Sequence, residues 1–386
     1  MQRIVSATRN HTKGGVSIFI VVFTALMVTI VTASFVQIVL RNQQIATSND
    51  LSQSAYDSAM AGVEDAKRAL VKLRQCENDP SNDCELSIRS ALETNQCNSL
   101  QTAGVVTFTN NEVRVGGSAQ NQAYTCVKVV LDTDDVSGSL DDSGSPVVIP
   151  LKAKDAFDKV RVSWFSADDL PEGSALSVPS SAPVLPAEGS WPNNRPPMLR
   201  AQLIQFKEGN IQLSQFVDGN ARTLFFYPSS LIDSLGGYSF ASDMRMNPAS
   251  SVNIPKTVNC TQANLMDEAG GYACWVDLAL PDPIGGDKNS REAYLELQAI
   301  YGATTYKVEL LSNGTETKFN GVQPAVDSTG RADDYFRRVR SNLRITDGAI
   351  EPFFPNAALS VGGNLCKDFF VTDKATDYAP GNCSPE

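Results

Sequence analysis

The sequence predicts an α+β protein: a long N-terminal helix, transmembrane in its first half and amphipathic in its second, followed by a β-rich, mainly antiparallel globular head stapled by disulfides. Three observations predict this. Residues 16–40 contain no Asp, Glu, Lys or Arg, and Arg3, Arg9 and Lys13 precede them. No proline occurs before Pro80, and Gly62 is the single glycine between residues 16 and 75. Beyond that point the chain carries short alternating apolar runs, most of the prolines and glycines, and eight cysteines.

The uncharged run is 25 residues long, and about 20 apolar residues cross a bilayer as a helix. The positive residues before it favour a cytoplasmic N-terminus and send the rest outward. A cleaved signal peptide has an apolar core of about 7–15 residues. Here the apolar run continues past Val31, Thr32 and Ala33 to Leu40, so a retained anchor is expected. With no helix breaker to stop it, the helix is expected to run to about Arg74, on the order of 90 Å. Leu51, Ala55, Ala59, Val63, Ala66, Leu70 and Leu73 recur at steps of three or four, which places them on one face for docking against the head. Glu64 and Arg68 are spaced i, i+4 on the outer face, in the favourable order.

The short basic leader ending in Gly15, the Gly15–Val16 junction and the apolar helix continuing into an amphipathic one resemble the type IV pilins and the pseudopilins of type II secretion. The likeness covers roughly the first fifth of the chain. It implies that a prepilin peptidase cuts after Gly15 and methylates Val16, and that the apolar halves of sister subunits bundle into a filament core. Residues 56–66, with Ala59, Ala61, Gly62 and Ala66, resemble the small-residue helix face of minor pilins. The fifth residue after the junction is Ile20, where the family usually has a glutamate that pairs with a neighbouring terminal amine. Ile20 cannot form that pair. Its presence is similar to the large tip-type minor pilins, and points to a subunit that primes or caps rather than one that fills the filament body.

Along the chain, the expected division is a leader (1–15), a helix (16–74, membrane-spanning over 16–40), a first β-rich portion (75–166), a Pro/Ser-rich loop or linker (167–197) and a second β-rich portion (198–386). In the first portion, strands are expected at 105–108, 112–115, 124–131, 146–152 and 159–164; in the last, Val160, Val162 and Trp164 alternate with polar residues. Seven prolines mark 167–197 as irregular chain. Further strands are expected at 198–206, 211–217, 221–227, 272–280, 295–301, 306–310 and 335–345, with a hairpin at 302–304.

The eight cysteines are Cys76, Cys84, Cys97, Cys126, Cys260, Cys274, Cys366 and Cys383, all outside the apolar run. An even number in an oxidising compartment suggests disulfides, whose connectivity a sequence does not determine. Sequence proximity favours Cys76–Cys84, Cys97–Cys126, Cys260–Cys274 and Cys366–Cys383. A bridge near the C-terminus also resembles the loop that many pilins staple there. CxxC-type zinc spacing is absent.

Composition narrows the functional classes. The net charge is −11, and the loss of Arg3, Arg9 and Lys13 with an acid-free leader leaves −14 on the remaining side chains. That disfavours nonspecific nucleic-acid binding, which relies on Lys and Arg. The sole histidine is His11, so the exported part lacks the usual general base of Ser and Cys hydrolases. No phosphate-binding or dinucleotide fingerprint appears, and no enzymatic role is expected. Asp132, Asp134 and Asp135 are the calcium candidates, but Val136 breaks the EF-hand pattern and a solvated turn is the simpler expectation. Arg338, Arg340 and Arg344 form a basic row on one strand, read either as a charge-based binding site or as protection of a sheet edge. Asn259-Cys260-Thr261 and Asn313-Gly314-Thr315 match the short glycosylation sequon. The expected partners are the membrane, other pilin subunits, the prepilin peptidase and a surface ligand. The competing expectations are an adhesin head and an anchored surface protein that never assembles.

Overall fold

The computed structural model describes residues 14–77, 83–94, 96–116, 121–142, 144–180, 185–186, 188–205, 221–230, 237–240, 255–266, 271–285 and 293–344. The expected strand at 211–217, Cys366 and Cys383 lie outside them. In chain order the elements are α1 (Gly14–Glu77), α2 (Asp83–Glu93), α3 (Ser99–Thr102), β1 (Val113–Arg114), β2 (Ala123–Val130), β3 (Asp135–Leu140), β4 (Val147–Pro150) and β5 (Phe157–Ser166). They continue with β6 (Met198–Gln205), β7 (Ala221–Ser229), β8 (Tyr238–Ser239), β9 (Lys256–Asn259), α4 (Gln262–Leu265) and β10 (Tyr272–Ile284). The last are β11 (Ala293–Ile300), β12 (Thr304–Ser312), β13 (Thr315–Thr317), β14 (Ala325–Ala332) and β15 (Tyr335–Asn342). The class is α+β: a long apolar N-terminal helix and a β-rich head.

Two compact units are formed, Met1–Leu131 with Gln323–Leu343, and Asp132–Val322 with Arg344–Glu386. The division therefore falls near residues 131 and 322, and the proline-rich segment 167–197 lies inside the second unit.

In the first unit, α1 runs unbroken for 64 residues, about 96 Å at 1.5 Å per residue. Its second half packs on an antiparallel sheet of order β1-β2-β14-β15. The neighbours β2 and β14 are far apart in sequence, yet Ala325 faces Val130 directly. The chain thus leaves this sheet after β2 and returns beside its exit point. Helix α2 also packs on α1, tied to it by the Cys76–Cys84 bridge.

The second unit is built from two sheets. One has the order β13-β12-β5-β10-β8, with β3 also pairing β12; the other runs β4-β11-β6-β7-β9. Pairing is antiparallel except for β10 with β8 and β7 with β9. Val160, Val162 and Trp164 of β5, Leu199, Ala201 and Leu203 of β6, and Leu295 and Leu297 of β11 are buried in one core. The alternation that predicted half-buried strands is satisfied by these inward rows. Trp164 lies 6.4 Å from Phe226 of the facing sheet, and its indole N–H donates to the Pro197 carbonyl at 3.0 Å. The proline-rich segment is fastened here too: Trp191 stacks on Tyr301 with ring centres 4.5 Å apart, and Asn194 donates to the Ala175 carbonyl at 2.8 Å.

Several elements differ from expectation. Residues 105–108 form no strand, while α2, α3, α4, β3, β8, β9, β13 and β14 were not foreseen. The turn at 302–304 is not a hairpin, because β11 and β12 belong to different sheets. Tyr301, at φ 79°, turns the chain from one layer into the other. A hairpin does occur at Asn313-Gly314, where both residues have positive φ, 51° and 85°, as a two-residue turn of the primed type demands.

Candidate functional site

The feature with the clearest functional meaning is α1. The large apolar side chains from Ile18 to Leu40 are between 37% and 78% exposed, so the described chain itself leaves this half uncovered. Its hydroxyls are turned inward on the helix. Thr24 donates to the Ile20 carbonyl at 2.9 Å, Thr29 to Ala25 at 2.7 Å, Thr32 to Val28 at 2.7 Å and Ser34 to Ile30 at 2.9 Å. Donation to the preceding turn removes the need for outside partners, and hydrocarbon supplies none. One helix, Ile18–Cys76, is long and apolar enough to span a membrane. The backbone of Gly15 and Val16 belongs to α1, and the Val16 side chain lies outside the described set.

The second half has the opposite character. Ala55, Ala59, Val63, Ala66, Leu70 and Leu73 are buried and Leu51 is half-buried. Ser58 and Ala69 share the covered face. Two glycines set the helix–sheet distance. A Cβ on Gly330 of β14 would run into the Ala55 carbonyl oxygen and the Ala59 nitrogen, and would lie 2.8 Å from the Ser58 carbonyl carbon. A Cβ on Gly62 of α1 would run into the Ser328 hydroxyl and lie 2.8 Å from Val127 Cγ2. The helix backbone is thus seated directly on the backbone of β14.

Polar groups anchor the same interface. Tyr124 Oη donates to Asp65 at 2.7 Å, and burial, then that bond, push the phenol well above its ordinary range. Asp65 also pairs with Arg68 at 2.8 Å, and Lys67 pairs with Glu64 at 2.6 Å. The helix therefore uses i, i+3 pairs, not the expected Glu64–Arg68 pair. Lys72 reaches the Ala103 carbonyl at 3.1 Å. Sequence periodicity signalled the helix side of this contact; Gly330 carried no signal, since an isolated glycine in a weak strand pattern has many explanations.

No protein-family model, curated protein or solved structure matches the chain.

The other predicted sites are dispersed. Cys76–Cys84, Cys97–Cys126 and Cys260–Cys274 are bonded, with Cα separations of 5.4, 4.2 and 4.2 Å. Asp132 pairs with Lys154 at 3.5 Å and Asp134 with Lys318 at 3.3 Å, while Asp135 begins β3. Among the described residues no three His, Cys, Asp or Glu side chains converge as a metal set. The arginine row is broken: Arg338 and Arg340 stand on β15, at the sheet edge, and Arg344 lies past its end in the second unit. Arg338 forks onto Asp327, with Nε–Oδ1 at 2.7 Å, and this bond holds the Asp327 carboxyl below its usual range. Arg344 donates to Tyr306 Oη.

Proposed function

We propose that this chain is a minor subunit of a type IV pilus-like filament, in which it primes or caps assembly. The observation that carries this reading is the division of labour along α1: an uncovered apolar half continuous with a half docked on its own sheet. An apolar helix surface of this size is stable only in lipid or against other helices. The first state stores the subunit in the membrane, and the second incorporates it into a filament among sister helices. The helix is continuous from the apolar half into the docked half, so the membrane segment is joined without a break to the sheet that α1 packs on. Ile20 supports a tip or priming position, because it offers no carboxylate to a neighbouring subunit's amine. The role is architectural, with the head carried to the cell exterior.

The test is the mature N-terminus of the membrane-extracted protein, measured by mass spectrometry with and without an active prepilin peptidase. A methylated chain beginning at Val16, formed only with active peptidase and blocked by a bulky replacement of Gly15, is the expected result. A chain still beginning at Met1 under both conditions refutes the assignment, as does normal maturation of the Gly15 variant.

A further inference from the structure

The second unit carries a cleft of about 600 Å³ that the assembly role leaves unused. Its walls come from β3, the end of β5, the start of β10 and the start of β12. They present Ser137, Ser139, Ser166, Asp168 and Tyr272. The volume falls within the roughly 300–1,000 Å³ of small-ligand sites. We propose that this cleft binds a neutral sugar, a hexose unit of a glycan, through its hydroxyl rim, the Asp168 carboxylate and the Tyr272 ring.

Chemistry selects this class. Serine hydroxyls both donate and accept, and a carboxylate accepts from two directions; a polyol offers the matching groups. Leu265 and Ala167 are the apolar side chains lining the cleft besides the tyrosine, too few to anchor an apolar peptide. The surroundings are negative: Asp135, Asp169 and Glu309 all act on Tyr272, and Asp168 is exposed at the rim. The nearby cations are engaged: Lys307, 5.9 Å from the Tyr272 ring centre, pairs with Glu309 at 2.9 Å, and Arg344, beside Gly138, donates to Tyr306 Oη. Phosphates, sialic acids and other anions are therefore repelled.

The scaffold is rigid where the ligand would sit. Asp169 accepts from the Ser166 amide at 2.8 Å, the Thr305 amide at 3.0 Å and the Thr305 hydroxyl at 2.6 Å. It thereby clamps β5 to β12 along the cleft. Phe165, beside Ser166, is buried with φ 68°. A bulky residue in that region is a true outlier, and such strain persists where the fold enforces it, often at ligand sites.

The experiment applies the full chain, solubilised in a detergent without a sugar headgroup, to an array of neutral, sialylated and phosphorylated glycans. Saturable binding of neutral glycans is expected, weakened about tenfold by Asp168→Ala through loss of a charged acceptor and abolished by Ser139→Trp, which fills the cleft. Both positions are exposed, and far-ultraviolet circular dichroism with thermal melting checks folding; if the tryptophan variant fails to fold, Asp168→Ala decides. The proposal is overturned by binding restricted to charged glycans, by neutral binding unchanged in Asp168→Ala, or by no neutral binding in the parent. None of these outcomes bears on processing at Gly15.

Discussion

Gly330→Ala sets local propensity and tertiary packing against each other. Gly330 does not have a positive φ, so alanine is conformationally allowed and on propensity alone should stabilise the strand by about 0.5–1 kcal/mol. The packing argues the reverse. The new methyl would meet the backbone of Ala55, Ser58 and Ala59, atoms that no rotamer change can move. Restoring a normal carbon contact of about 3.5 Å lifts α1 by roughly 1 Å, and such a gap forfeits a quarter to a half of each dispersion well. Ala55, Ala59, Val63 and Ala66 are fully buried there and together hold roughly 5 kcal/mol of burial at about 0.8 kcal/mol per methyl-sized group. The loss is about 1–2.5 kcal/mol, matching the range for overpacking, and, less the propensity gain, the net change is destabilising by about 1 kcal/mol. All three tryptophans, Trp164, Trp191 and Trp275, lie in the second unit, which separates the readouts. In a urea titration the helical far-ultraviolet signal should shift to lower denaturant, while tryptophan fluorescence keeps its midpoint. Hydrogen exchange should quicken across 52–66. A variant as stable as the parent, or more so, would refute the close seating of helix on strand.

Gly62→Ala should be near neutral, because overpacking of about 1 kcal/mol against the side chains of Ser328 and Val127 is offset by a helix-propensity gain of about 1 kcal/mol; the same urea titration measures it. Among the described residues the buried Ser328 hydroxyl oxygen has no hydrogen-bond partner, so Ser328→Ala should leave stability unchanged or raise it by up to about 1 kcal/mol, read from the same titration. Replacing both Cys97 and Cys126 by alanine opens a loop of 29 residues and should destabilise the first unit by about 3.5 kcal/mol, read by thermal melting. Tyr272 is pushed up to about 12, chiefly by burial. Its raised value contributes stability present below the ordinary phenol range and lost as pH climbs from about 10 toward 12; alkaline melting followed by tryptophan fluorescence should show that decline, and Tyr272→Phe should lessen it. Asp327, held low by Arg338, contributes in the opposite window: its stabilisation is lost as pH falls through the carboxyl range, and Arg338→Ala should flatten that acid dependence.

The helix was legible because its signal is long and redundant: 25 uncharged residues, then seven apolar positions at helical spacing. Strands such as β5, β6 and β12 were legible because burial on one face imposes alternation. Strand β14 was not, although it lies at the centre of the first sheet. Its sequence includes Ala325, Ser328 and Gly330, small residues that admit the helix backbone but lack β-branched or aromatic bulk. The demand of the contact erased the signal of the element. A related cause hid the two-unit division. Composition shifts sharply at 167–197, whereas the chain passes between its two compact units near 131 and 322, beside ordinary strands. The cleft was invisible for a third reason: β3, β5, β10 and β12 are scattered in sequence, and hydroxyls are common everywhere.

The antiparallel facing of Val130 with Ala325 makes residues 132–322 an excursion whose two ends emerge a single ladder spacing apart. Excising the excursion and joining β2 to β14 by a tight turn should leave an ordinary hairpin under the same helix. The helix and its four strands would then work as a mounting bracket, able to carry this sandwich or another without redesign of the anchor.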